Sequence, residues 1–428
     1  MNGRMLNLEP FRKAREGRVL WHANINEDQH WNENPLFPSF AKPQHTSLIE
    51  QQEQQLLWIA EPEDVVWLLH APDAQFLADI KRHKGELPHL CISRDAGEVA
   101  AFIAGAVSGL CTFMPFMLTP EFVVMAETHG WRLMNSDARK VKELNSKYTT
   151  RRLAEEHGFA VTNGRFCMNL EELDGAYQAF REAGFDQAVL KQAYGSSGKG
   201  LTIIENEHKF KQLSVYIRKR TASFELLLEA WHPIRQSLNA QLWIEPDAVH
   251  LLAVTEQRIN AYGVYIGTNY APHYEADVIG LYRTEMLRLG EVLRKLGYRG
   301  IAGIDSIVDH TGTLYPVIEI NARFTQVTYL LPLIESLLLH YRHVESRYIR
   351  LESSDRLAFE SLKEKLESVL RPDSDHQFTI YTFACSQEAE KCIYRIFVLF
   401  YGNEASRLQE MLEVFERFPA LQEQSAPI

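Results

Sequence analysis

The stretch VLKQAYGSSGKGLTII, residues 189–204, sets a Gly- and Ser-rich loop between two apolar, β-branched runs. Such a pattern predicts a β-hairpin with the loop as its tip. Glycines free the backbone for positive φ and for close approach to a ligand, leaving a row of N–H donors. Ser196 and Ser197 add hydroxyls and Lys199 adds positive charge, a combination suited to phosphate oxygens. Two familiar phosphate loops do not fit. The P-loop, GxxxxGK[ST], fails because Gly195 leads to Gly200 and then Leu201. The dinucleotide fingerprint GxGxxG fails because Gly198 and Gly200 run into LTI. Both also require a helix after the loop, where LTIIEN reads as strand. Taken alone, the loop could equally be a flexible surface hairpin.

A second hairpin narrows the choice. In GIAGIDSIVDHTGTLYPVIEINARF, residues 300–324, strand alternation puts Glu319, Asn321 and Arg323 on one face. Ile318, Ile320 and Ala322 then share the other, toward a core. A turn near Gly312 sets Asp305 across from Glu319, with Cβ atoms about 5 Å apart. Paired carboxylates repel unless something positive sits between them, and their apolar flanks would screen them poorly. Two carboxylates and an amide oxygen are hard ligands, suited to a Mg²⁺ ion that also holds phosphates. Asp305, Glu319 and Asn321 are therefore the expected metal ligands. Phosphate donors at 194–200 and a Mg²⁺ site at 305–321 together describe a nucleoside-triphosphate site on a fold without a P-loop.

Composition sets the bounds. A chain of 428 residues, 46% hydrophobic and 24% charged, is long enough for two or three domains. A formal net charge of −11 argues against nucleic acid or an anionic membrane surface as the main partner. Five scattered cysteines form no CxxC pair, which fits a reducing, cytoplasmic location. The histidines show no metal-ligand spacing. VAAFIAGAVSGLCTFMPFML, residues 99–118, is uncharged and long enough to span a bilayer. We read it instead as a buried helix, a turn at Ser108–Gly109 and a buried strand.

Residues 18–140 alternate strand and helix, which implies a parallel α/β domain. One of its helices begins after Thr119 as N-cap, with Pro120 in the first turn and Gly130 past the end. From about 146 the pattern becomes helix, hairpin, strand-rich segment and then a long amphipathic helix carrying Leu287, Leu293 and Leu296. Residues 351–428 read as a small appended α+β domain.

In this order the elements resemble an ATP-grasp enzyme. The matching pieces are a lysine-led helix (NSKYTTRRLAEEHGFAV), the Gly-rich flap, a strand ending at a hinge (LLLEAW) and the closing GID…YPVIEINARF. The resemblance implies a parallel α/β pre-ATP-grasp domain at 1–140, an ATP-grasp module at 141–350 and the small domain at 351–428. The strand-rich segment and the C-terminal part look like natural-product ligases, either of the pheganomycin peptide-ligase type or of the butirosin glutamate–carrier-protein-ligase type. Carried over residue by residue, Lys147 and Lys191 would contact the ATP phosphates. Ser196, Ser197, Gly198, Lys199 and Gly200 would close over them. Glu229, Ala230 and Trp231 would form the adenine hinge, largely through backbone groups, with Gln236 the nearest candidate for a ribose contact. Arg323 would face the acyl phosphate or the substrate carboxylate, and Arg258 would neutralise the transferring phosphoryl group.

The implied chemistry is activation of an amino-acid carboxylate by Mg-ATP as an acyl phosphate. An amine or a carrier-protein thiol would then displace the phosphate. A phosphotransferase acting on a hydroxyl through the same site is the alternative, and it would need a general base that the sequence does not single out. A nucleotide binder without turnover would not need the full Lys191, Asp305, Glu319 and Asn321 set.

Overall fold

A computed structural model describes residues 6–15, 17–25, 27–32, 43–106, 111–134, 137–195, 200–221, 223–260, 264–388 and 391–424. The N-terminal part is a five-stranded parallel sheet. Its strand order is His89–Ile92, Val65–Leu68, Arg18–His22, Cys111–Pro115 and Arg132–Leu133. The central strands are largely apolar because helices cover both faces, and Val65–Leu68 is apolar and buried at every position. The uncharged 99–118 stretch divides between the helix Ala96–Ala106 and the strand Cys111–Pro115, and its turn lies outside the described residues. Among the described residues no helix is long and apolar enough to cross a membrane. Thr119 caps the Pro120–His129 helix by accepting from the Phe122 N–H, and Gly130 ends it at φ +67°.

Two antiparallel sheets follow. A four-stranded sheet has the order Gly164–Cys167, Leu226–Ala230, Ala188–Lys191 and Leu201–Ile204. The helices Leu170–Glu182 and Glu207–Arg218 back it, with Tyr177 stacked on Phe210 at 4.0 Å. The last two strands are the expected hairpin, with Lys191 opposite Leu201.

The large sheet has eight strands. Their order is Leu314–Asn321, Gly300–Asp309, Ile234–Ile244, Val249–Ile259, Tyr265–Asn269, His343–Ser353, Lys391–Gly402 and His376–Glu388. The segment read as an appended domain thus continues this sheet, and a boundary at 350/351 falls inside the strand His343–Ser353. The long helix Ala276–Lys295 packs on the sheet through Tyr282, Met286, Leu289 and Leu293. Leu287 and Leu296 are exposed, a correction to the sequence reading: Leu287 lies out of phase with that stripe, and Leu296 keeps the phase but is the C-cap, past the last helical residue.

Candidate active site

The acidic hairpin pairs as expected, with Asp305 opposite Glu319 and Gly303 opposite Asn321. Just beyond, the register slips and residues 316–318 bulge opposite Ser306. The bulge turns Ile318 into the cleft beside Glu319 and puts Val317 in the core. Ile318 was expected in that core with Ile320 and Ala322, and only those two are there.

Three amides hold Asp305. Asn239 Nδ2 and Gln257 Nε2 each donate to its Oδ1 at 2.7 Å, and Asn321 Nδ2 donates to its Oδ2 at 3.2 Å. Gln241 steadies Asn239 from behind at 2.6 Å and accepts from Thr325 and Thr328, which cap the helix Gln326–Leu337. Burial, and then the facing charge of Glu319, push the Asp305 carboxyl up to about 6. Lys147 relieves the pair: its Nζ lies 2.9 Å from Glu319 Oε1. It is the first residue of the helix Lys147–Glu156, whose N-cap Ser146 accepts from the Thr149 N–H. Arg323 leaves the strand end, donates to Asn321 Oδ1 at 2.8 Å and sits over the Phe116 ring.

The opposite wall comes from the four-stranded sheet. Lys191 Nζ lies 2.6 Å from Glu229 Oε2, and Arg151 Nη1 lies 3.1 Å from Glu229 Oε1. Burial works to raise the Glu229 carboxyl, but Lys191 and then Arg151 outweigh it and hold the group below the usual range. Lys191, Glu229, Asp305, Glu319, Asn321 and Arg323 all line one cleft of about 480 Å³. That size suits a nucleotide with a small acid beside it. Gly200 closes the base of the flap at φ +79°, where a Cβ would come within 2.5 Å of the Tyr194 carbonyl.

Other expected residues fall differently. Ser196, Ser197, Gly198 and Lys199 lie outside the described residues. Ala230 and Trp231 line the cleft, but their N–H groups are donated to Asn163 and Gln187 carbonyls. Neither N–H is therefore free for a base. Gln236 does not line the cleft: the register slips between Ile234 and Gln236, and Ser237 takes the inward position. Arg258 also faces away. Alternation turns Gln257 to Asp305, while Arg258 grips Glu345 at 3.0 and 3.2 Å and Glu256 at 3.0 Å. Sequence reading missed Asn239, Gln241, Gln257 and Arg151. The polar pair Asn239 and Gln241 in the apolar run LNAQLWI was the signal for two of them.

A hairpin of paired carboxylates facing a lysine-bearing sheet across one cleft is the architecture of a nucleotide-dependent ligase. An ATP-grasp domain model matches residues 144–327. The chain is 42% identical over 392 residues to the [butirosin acyl-carrier protein]–L-glutamate ligase of Niallia circulans, covering 91% of this chain and 92% of that one. This protein belongs to the ATP-grasp family and is an ADP-forming ligase. The fold is shared with N5-carboxyaminoimidazole synthetase of Staphylococcus aureus complexed with ADP, at TM-score 0.55 and 13% identity over 94% of this chain and 98% of that one. It is shared as well with phosphoribosylamine–glycine ligase of Thermotoga maritima, at TM-score 0.54 and 12% identity over 93% and 96% of the two chains.

Proposed function

We propose that the protein activates the carboxylate of an amino acid as an acyl phosphate and passes the acyl group to the thiol of a carrier protein. The observation that carries this is the single cleft joining Lys191, Asp305, Glu319, Asn321 and Arg323. The acid and the acceptor are inferred from the relative, whose name specifies L-glutamate and an acyl-carrier protein. An amine acceptor, giving an amide, uses the same first step.

The residues present fit Mg²⁺: two carboxylates face each other across a ladder, one is pushed up by burial and then by the other, and an amide stands beside them. Asp305, Glu319 and Asn321 would hold the ion, which when bound draws charge from the phosphate oxygens. Lys191 orients the triphosphate from the cleft wall, while Lys147, which does not line the cleft, acts from behind Glu319 and the base of the flap. Arg323, steadied by Asn321, meets the carboxylate that attacks the γ-phosphorus. The carboxylate oxygen bonds to that phosphorus as the bond to the bridging oxygen of ADP breaks. The thiolate sulfur then attacks the acyl carbon and inorganic phosphate leaves. The apolar walls, Ile318 among them, keep water from the acyl phosphate.

The test is release of ADP and phosphate from Mg-ATP with a panel of amino acids, alone and with a carrier protein or a pantetheine thiol, followed by product mass. A thioester with stoichiometric ADP and phosphate supports the reading. Phosphate retained on a hydroxyl product would instead make the protein a phosphotransferase.

A further inference from the structure

The large sheet carries the cleft well past the phosphate end. Beyond the Gln257 strand its wall is built by Tyr265, then Tyr348, then Arg395, on three successive strands. Arg395 is held without an acid. Its guanidinium lies 4.8 Å from the Tyr348 ring and 5.0 Å from the Phe397 ring, and its Nε is buried with no hydrogen-bond partner. Among the described residues no carboxylate pairs with it. Two more deeply buried arginines are neutralised, Arg151 by Glu229, and Arg347 by Glu345 and Glu416, whereas Arg395 is half-buried with its Nε enclosed. Burial pulls Arg395 below the usual arginine range, and Tyr348 offsets this only in part. A cation kept this way on a cleft wall is costly unless a ligand brings the counter-charge. The guanidinium fork suits a carboxylate, which it grips through two parallel hydrogen bonds.

We propose that Arg395, seated between Tyr348 and Phe397, binds the second, non-reacting carboxylate of the acid and is the residue that selects a dicarboxylic amino acid over a monocarboxylic one. This rests on the ligase reading and on the acid that the relative's name supplies. Arg395 stands at the far end of the cleft: its strand is three strands from the Gln257 strand, roughly 14 Å at about 4.8 Å per strand, and the register Gln257–Thr268–Ser346–Leu399 places it four residues further along, about 13 Å. A monocarboxylic acid as small as alanine leaves Arg395 without a counter-ion.

Calorimetric titration of the full chain tests this independently of turnover. L-Glutamate, L-aspartate, L-glutamine and 2-aminobutyrate are titrated in the presence of Mg²⁺ and a non-hydrolysable ATP analogue. The wild type is expected to bind a dicarboxylate in preference to its monocarboxylic analogues. Arg395→Gln is expected to raise Kd for that dicarboxylate about 10- to 100-fold while leaving affinity for the ATP analogue unchanged. Arg395→Lys keeps the charge and recovers part of the loss, and it decides the matter if the glutamine variant loses nucleotide affinity as well. Equal wild-type affinity for mono- and dicarboxylates overturns the proposal. So does an Arg395→Gln effect confined to the KM of the carrier protein, which would assign the arginine to the phosphate of the carrier's pantetheine arm. Turnover with a monocarboxylic acid and no dicarboxylate binding sinks this proposal and leaves the ligase reading standing. Arg395-dependent dicarboxylate binding with no ADP release in any acceptor mixture does the reverse.

Discussion

Replacing Asp305 with asparagine should make the metal-free protein more stable at neutral pH while ending its activity. In the fold this carboxyl is pushed from near 3.8 to about 6 by burial and by Glu319 opposite. A group raised this way is protonated more readily in the folded chain than in the unfolded one, so stability falls as pH rises between the two values. The full penalty, present above both values, is about 3 kcal/mol, of which about 1.4 kcal/mol develops between pH 5 and pH 8. We take 3 kcal/mol as a ceiling, because Asp305 opens on the cleft and keeps hydrogen bonds from Asn239, Gln257 and Asn321. Asparagine matches the shape, keeps an acceptor for Asn239 and Gln257, and carries no charge. Denaturant unfolding in chelator at pH 5 and pH 8 measures the difference between variant and wild type. Asp305→Asn should gain about 1–3 kcal/mol on wild type at pH 8 and less at pH 5. Mg-ATP should reverse the order by stabilising wild type alone. A variant less stable than wild type at pH 8 in chelator would refute the reasoning, since Asp305 would then carry no ionisation penalty.

Further substitutions separate chemistry from scaffold. Glu319→Ala should abolish ADP release and cost up to about 3 kcal/mol by leaving Lys147, 4% exposed, without its counter-charge and with only the Gly195 carbonyl to accept from it; adding Lys147→Met should restore most of that stability in the same unfolding assay. Arg258→Gln should leave kcat within about threefold, because the side chain faces away from the cleft, but lower the unfolding free energy by about 1 kcal/mol through the lost pairs with Glu345 and Glu256, since Glu345 keeps Arg347. Gly267→Ala would place a Cβ 1.9 Å from the Ser346 carbonyl and should sharply reduce soluble yield and Tm, whereas Gly280→Ala, with open space around it on a helix, should raise Tm slightly.

Local signals carried much of the fold. Short strands alternating with helices identify the parallel sheet, and burial on both faces leaves Val65–Leu68 an unbroken hydrophobic run. The Asp305–Glu319 pairing was legible because a two-residue side-chain period and a turn at Gly312, φ +87°, leave little freedom. The resemblance to ATP-grasp enzymes was legible from motif order and is matched by the family model. Two of the misplacements share one cause. A bulge reverses which face a residue presents, so the slips near Gln236 and at 316–318 misassigned Gln236 and Ile318. Arg258 was chosen for its charge, yet its neighbour Gln257 faces Asp305.

By itself, the sequence determined the element order, the facing carboxylates and the glycine-rich hairpin, because these depend on spacings of a few residues. The tertiary structure alone decided which distant partners meet. Lys147 reaches Glu319 across 172 residues, and Asn239 and Gln257 converge on one oxygen of Asp305. The C-terminal strands join the large sheet and bring Arg395 to the cleft. Contacts of that range depend on strand order and register, which packing of the whole chain selects and which no short window of sequence contains.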